Sequence, residues 1–193
     1  ALPQLLAKRI KSINLNSQVD SLAQFSGRTI IVATDLTTSA QLLDIPNVPK
    51  LASSITWYHE APADLTASDR LLLDGENRGP VVNSIVISNF ISTYAPVGRS
   101  LLSTTTIGYT SESEVRRHLS ILWAVPTSDW ELIAKYEIPK SLPIFAPGAQ
   151  GVTSAKVATN IYVAGDYRSA PSQNGALLSG RLAAEELLFD ERS

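Results

Sequence analysis

The chain has 193 residues, 44% of them hydrophobic and 18% charged, with 16 Lys and Arg against 18 Asp and Glu for a formal net charge of −2. It is long enough to bury a core in one domain or two small ones, too hydrophobic for disorder, and too nearly neutral for a nucleic-acid binder. No apolar run approaches the roughly 20 residues of a membrane-spanning helix, and without any cysteine there is no disulfide, thiolate nucleophile or Cys-ligated zinc.

The N-terminus shows no basic segment followed by an apolar stretch, so no leader is read there and the cytoplasm is the expected compartment. Starting at Ala1 inside a helical pattern, with no methionine anywhere, the sequence reads as a piece of a longer protein. Leu2, Leu5, Leu6 and Ile10 repeat at helical spacing over Ala1 to Ile10. Ile13, Leu15, Val19 and Leu22 suggest one or two short strands, interrupted by Asn14, Asn16 and Ser17. The β-branched run Thr29 to Ala33 predicts a strand buried on both faces. Asp35 or Thr37 can cap a helix over Ser39 to Leu43, stopped by Pro46 and Pro49.

From residue 50 the texture changes. Ser54 to Tyr58, Arg70 to Leu73, Val81 to Asn89 and Ser100 to Ile107 are strand-like, with turn formers between them at Asp74-Gly75, Gly79-Pro80 and Pro96-Val97-Gly98. Short links between successive strands predict an antiparallel sheet. Ser111 and Glu114 are spaced as a capping box for a helix over Ser111 to Leu122. Trp130 to Ile138 reads as another strand, and Pro139, Pro143 and Pro147 mark an extended segment. Asn160 to Ala164 is a short apolar strand, and Asn174 to Phe189 is the strongest helical pattern.

The last segment holds the chemistry. An apolar strand, Ile161 to Ala164, delivers Gly165 and Asp166 at its carboxyl end, where open α/β sheets bind ligands. The following helix has Gly175 in its first turn, which predicts bare amides suited to an anion. Ala176, Gly180, Ala183 and Ala184 form a stripe for close packing. A plain strand, loop and packed helix accounts for the same spacing equally well.

Ala164-Gly165-Asp166, followed by Asn174-Gly175-Ala176-x-x-Ser179-Gly180-x-x-Ala183-Ala184, strongly resembles the C-terminal flavin motif of the FAD-dependent amine oxidase and phytoene desaturase superfamily. The resemblance implies that Asp166 holds the ribityl hydroxyls of FAD. It implies that Asn174, Gly175 and Ala176 face the pyrimidine edge, where reduced flavin gathers negative charge. Ile13 to Val19 resembles the strand returning to the adenine, read by the backbone of Val19. Ile30 to Thr34 resembles the strand ending near the ADP half, and Tyr136 to Pro143 a tract ending in Leu-Pro near the flavin. The family's Gly-x-Gly-x-x-Gly loop is missing from this sequence. Val19 to Ile30 and the loop Tyr167 to Gln173 are also shorter than the family pattern.

The resulting expectation is an α+β chain. Residues 50–140 form an antiparallel-sheet substrate domain, flanked by portions of an FAD-binding, Rossmann-like α/β domain at 1–49 and 141–193 that pack together. The implied activity is FAD-dependent oxidation or desaturation of a small molecule, apolar or an amine, by hydride transfer to flavin N5. The alternatives are an interaction module that only mimics the motif, and a relative that has lost FAD.

Other residues carry weaker signals. His59 is a candidate acid or base, with a surface or satisfied role more ordinary for a lone strand histidine. His118, in Arg116-Arg117-His118, reads as a solvated helix face. Asp74, Glu76 and Asn77 offer calcium ligands, though Asp-Gly there reads more simply as a hairpin turn. Trp57, Tyr58, Trp123, Trp130 and Tyr136 are candidates for an apolar substrate cavity, each more ordinarily a core residue. The Ser103 to Thr106 run has no Gly-x-Ser-x-Gly elbow, so no serine nucleophile is expected.

Overall fold

The computed structural model describes residues 2–45, 48–62, 65, 69–148 and 153–192. The chain divides into two compact units, one built from Ala1–Val48 with Gln150–Ser193 and the other from Pro49–Ala149. Helix α1 (Leu2–Ala7) buries none of its side chains. The strands expected between Ile13 and Leu22 do not form. Asn16 adopts the left-handed conformation at φ 54, which breaks a pleat, and Ser21 caps a 3-10 turn over Leu22–Phe25 by accepting from the Ala23 amide. Strand β1 (Ile30–Val32) buries only Val32, and Ile31 is exposed. The β-branched run is therefore not covered on both faces. Asp35, not Thr37, caps helix α2 (Leu36–Leu43), accepting from the Thr37 amide at 2.9 Å and the Thr38 amide at 3.2 Å. The helix begins before the expected Ser39 and ends at left-handed Asp44; Pro46 lies outside the described residues.

The second unit is an antiparallel sheet under one helix. Its strands are β2 (Leu51–Pro62), β3 (Leu72–Leu73), β4 (Val81–Val86), β5 (Arg99–Thr106) and, after helix α3 (Glu112–Trp123), β6 (Glu131–Pro143). They lie in the order β3-β4-β5-β2-β6. Alternation along β2 sends Ile55, Trp57, His59 and Ala61 to the α3 side. There they join Leu102, Val115, Leu119 and Trp130 in a core with no large exposed member. The capping box forms in full, with Ser111 Oγ accepting from the Glu114 amide and Glu114 accepting from the Ser111 amide. The strand expected over Val81 to Asn89 stops at Val86, and residues 87–89 turn into a 3-10 helix. Strand β6 continues through Pro139 to Pro143, which an edge strand permits because proline costs it no inner ladder bond. The expected break at 140/141 thus falls inside β6.

The five aromatics do not share a cavity. Trp57 and Trp130 are core residues, and Trp123 packs against that core and donates from Nε1 to Ser84 Oγ at 3.1 Å. Tyr58 and Tyr136 meet edge to face on the other side of the sheet, with ring centroids 5.9 Å apart. In the Ser/Thr run, Thr104 and Thr106 are buried; Thr104 pairs with Ser84, and Thr106 accepts from Trp57 Nε1.

Back in the first unit, β7 (Lys156–Ala158), a strand with no clear sequence signal, precedes β8 (Ile161–Val163) and helix α4 (Gln173–Asp190). The three-stranded sheet runs β1-β8-β7, with β8 parallel to β1 and antiparallel to β7. The last turns of α4 grip this sheet. Glu186 accepts from Ser154 Oγ and the Ala155 amide, and Asp190 accepts from Lys156 Nζ and the Tyr162 hydroxyl. The architecture is α+β. Truncating Leu119, fully buried between α3 and the sheet, to alanine is expected to cost about 3 kcal/mol in denaturant unfolding. The same change at Leu177, half exposed on α4, should stay within about 0.5 kcal/mol.

Candidate functional site

Because β1 and β8 are parallel, with Ile30 opposite Ile161 and Val32 opposite Val163, their carboxyl ends lie side by side. Ala164 donates its amide to the Val32 carbonyl at 2.9 Å and extends the pairing. Thr34 follows one strand end, and Gly165 and Asp166 follow the other. Two strand ends opening in one direction make the usual crevice for a ligand in parallel sheets. Tyr167 ties them together. Its buried hydroxyl donates to buried Ser39 Oγ at 2.7 Å, and Ser39 Oγ lies 2.8 Å from Thr34 Oγ1. Burial pushes the Tyr167 phenol up, which keeps it a proton donor. The half-buried Asp166 side chain makes no hydrogen bond or ion pair with the described residues, although its carbonyl accepts from the Ser169 amide.

The start of α4 differs from the sequence expectation. Ser172 is the cap, and its Oγ takes the Gly175 amide at 3.0 Å. The Ala176 amide bonds to the Ser172 carbonyl at 2.9 Å. The amides of Gly175 and Ala176 are therefore not bare, and the two earlier positions, Gln173 and exposed Asn174, form the open end of the helix. Two of the three motif glycines, Gly165 and Gly175, have internal causes. A Cβ on Gly175 would stand 1.9 Å from the Ala170 carbonyl oxygen, and one on Gly165 would stand 2.2 Å from the Tyr167 ring. Of the small-residue stripe only Ala183 is buried; Ala176 and Ala184 are exposed, and nothing lies within 4 Å of a Cβ on Gly180.

Val19 and Thr34 line one groove of about 390 Å³ with Leu22, Phe25, Ile30 and Leu42. An adjoining hollow of about 450 Å³ shares Val19 and Thr34 and adds Asp20, Thr38 and Gln41. The structure thus gathers Val19 and Thr34 directly, and joins Thr34 to Gly165 and Asp166 through Ser39 and Tyr167. Asn174, Gly175 and Ala176 are not among the residues lining the groove. Sequence reasoning missed Ser172, although a serine just before a helical run is an ordinary cap signal. It also missed the Tyr167–Ser39 pair, whose members are too far apart in the chain for any local pattern to link.

The family model described as flavin containing amine oxidoreductase matches residues 4–188. The chain belongs to this family. No curated protein matches the sequence. Among solved structures, the fold is similar to an oxidoreductase from Methanosarcina mazei (TM-score 0.54, 14% identity, covering 80% of this chain and 42% of that one). It is similar to reduced UDP-galactopyranose mutase (TM-score 0.56, 16% identity, 81% and 37%). It also resembles the PF1083 protein from Pyrococcus furiosus (TM-score 0.51, 13% identity, 72% and 33%). This chain therefore spans less than half the length of each of these neighbours.

Neither histidine of this flavin-family chain is placed for proton transfer with a ligand. His59 is completely buried, with no hydrogen bond at either ring nitrogen and Nε2 3.7 Å from Glu112 Oε1. Burial, reinforced by the Arg116 charge and only partly opposed by Glu112, lowers its pKa to about 4. His118 is not on a solvated face. It is fully buried, accepts from the Val81 amide at Nδ1, and holds Nε2 3.1 Å from Asp74 Oδ2. It also fills the space where a Cβ on Gly79 would stand, at 2.6 Å. Asp74 is committed to its turn, accepting from the amides of Glu76 and Arg78 and from Arg78 Nε. Burial raises its carboxyl, but these donors outweigh burial and hold it below the usual range. The described residues contain no group of three or more side chains suited to a metal ion.

Two predictions follow from this geometry. Gly175→Ala should destabilise the chain by about 3 kcal/mol through its clash with a backbone carbonyl, whereas Gly180→Ala, unobstructed in the same helix, should stabilise it by about 0.5–1 kcal/mol; thermal unfolding of both variants checks the sign difference. For His59, the folded pKa lies below the ordinary 6.5, so the unfolded chain binds the extra proton. Its contribution is fully present above pH 6.5 and is lost as pH falls toward 4, by about 3 kcal/mol. His59→Leu should flatten that part of the stability profile.

Proposed function

We propose that this chain forms part of an FAD-dependent oxidoreductase and contributes the ribityl and adenine contacts of the cofactor site. The observation that carries the reading is the Asp166 carboxylate, without a partner among the described residues, at the end of β8 beside the end of its parallel neighbour β1. A half-buried carboxylate without a protein donor suits ribityl hydroxyls, which would give it charge-assisted hydrogen bonds. The open end of α4 at Asn174 adds a weak positive potential. Gly175 and Ala176 support that end through the helix rather than through free amides. The groove beside Val19 and Thr34 suits the adenine half. A flavin bound here supplies the hydride-accepting centre, and the protein's own groups hold and orient it. In this reading 50–140 is the substrate-binding region, and the sheet face carrying Tyr58 and Tyr136 meets an apolar or amine substrate.

One observation favours the rival reading of a family member that holds no flavin: two of the three motif glycines, Gly165 and Gly175, are explained by internal packing. Titration separates the two. The chain has no Gly-x-Gly-x-x-Gly loop to neutralise a pyrophosphate, so FAD is expected to bind weakly, followed by quenching of flavin fluorescence. Asp166→Ala should weaken it a further tenfold or so, with an unchanged circular dichroism spectrum. Equal affinity for both proteins would remove Asp166 from the site, and no binding by either would favour the rival.

A further inference from the structure

The Asp166 side chain makes no hydrogen bond or ion pair among the described residues, so its placement depends on the backbone turn that carries it. That turn, Asp166–Arg168, is a single 3-10 turn, too short to be rigid without outside anchors. Two anchors come from its flanks: Gly165 donates its amide to buried Ser179 Oγ on α4 at 3.1 Å, and Arg168 donates to the Ser154 carbonyl. Another comes from Tyr167, whose hydroxyl reaches Ser39 Oγ on α2 at 2.7 Å, nearer than the Ala164 carbonyl at 3.4 Å. Both residues are buried, where an unpaired hydroxyl is costly. The ring of Tyr167 occupies the space over Gly165, and a phenylalanine would fill it equally well, so the hydroxyl has a separate task. A phenol has one proton to give, and Ser39 takes it. The proton of Ser39 is then left for Thr34, whose Oγ1 stands 2.8 Å away and whose carbonyl stands 3.3 Å away. The chain of hydroxyls thus runs from the turn after β8 to the residue that follows the end of β1.

We propose that Tyr167 is a positioning residue: through Ser39, its hydroxyl sets the separation between Asp166 and Thr34 so that a single ligand engages both. This rests on the reading of the site as a flavin site. The ladder between the strands reaches Ala164, whose amide bonds to the Val32 carbonyl. Beyond it Thr34 and Asp166 sit on separate loops, and the Tyr167–Ser39–Thr34 bonds join those loops. A binding group with no partner of its own is held in place by the shell around it. The ligand that profits is one long enough to have different parts at the two strand ends, as FAD has in its ribityl chain and its adenine half. Two linked contacts reinforce each other only when their spacing matches the ligand. A ligand that uses one strand end gains nothing from a fixed spacing.

Quenching of flavin fluorescence with two probes tests this. FAD has both parts, whereas riboflavin has the ribityl chain without the adenine half. Tyr167→Phe should weaken FAD about tenfold, the effect of losing one buried hydrogen bond, and riboflavin by no more than about twofold. Ser39→Ala should do the same, and it carries the test if Tyr167→Phe folds poorly. The double variant should be no worse than Ser39→Ala alone, because that change already removes the acceptor. A tyrosine with a purely structural role would weaken the two probes alike. Equal losses for the two probes, an undiminished FAD affinity, or additive losses in the double variant would each overturn the proposal. Asp166→Ala separates this proposal from the site reading beneath it, and should weaken both probes. If it does so while Tyr167→Phe and Ser39→Ala leave FAD unchanged, the tyrosine assignment alone falls. If Asp166→Ala leaves both affinities unchanged, or the parent chain quenches neither probe, the flavin reading falls and takes this proposal with it.

Discussion

The parallel pairing of Ile30–Val32 with Ile161–Val163 is the constraint on which the first unit rests. Parallel neighbours cannot be joined by a turn and need a crossover, and here the crossover contains the whole of Pro49–Ala149. Everything near the candidate site inherits that arrangement. Thr34 and Asp166 follow neighbouring strand ends only because the two strands run the same way. The Tyr167–Ser39 bond can form only because α2 and the end of β8 meet there. Even the acidic end of α4, holding Lys156 and Tyr162 through Asp190, braces the strand that lies on the far side of this pair.

What the sequence made legible is what local chemistry determines. The capping box at Ser111 and Glu114 and the cap at Asp35 need only neighbours within a few residues, and both were readable from spacing. The antiparallel sheet was readable because turn formers recur between alternating runs. Burial was harder to read. Thr29 to Ala33 has the composition of a strand covered on both faces, yet β1 lies at a sheet edge and leaves Ile31 in solvent. Composition cannot tell an edge from a centre. His118 differs from the solvated face expected of it for a related reason: Arg117 is exposed, but Arg116 is half-buried against the Thr127 and Trp130 carbonyls, and the helix turns His118 inward onto Asp74 and the Val81 amide.

The site shows the same division. The strand-then-carboxylate signal placed Gly165 and Asp166 where a parallel sheet ends, and family resemblance supplied their meaning. Two of the three glycines, however, answer to the protein's own atoms before any ligand. Gly175 accommodates the Ala170 carbonyl and Gly165 the Tyr167 ring, contacts made by a loop whose path no local pattern specifies. Packing alone thus requires glycine at two of the motif's positions, while Gly180 meets nothing within 4 Å.

The Asp74–His118–Gly79 cluster has a consequence for how this chain tolerates change. Gly79 is confined by the His118 ring, His118 is fixed by the Asp74 carboxylate and the Val81 amide, and Asp74 is held by Arg78. Replacing His118 alone would free space at Gly79 but leave a buried carboxylate with one partner fewer. Enlarging Gly79 alone would drive the ring off that carboxylate. Each substitution's effect therefore depends on the others, so the three positions are epistatic, and a variant neutral in one background will be damaging in another.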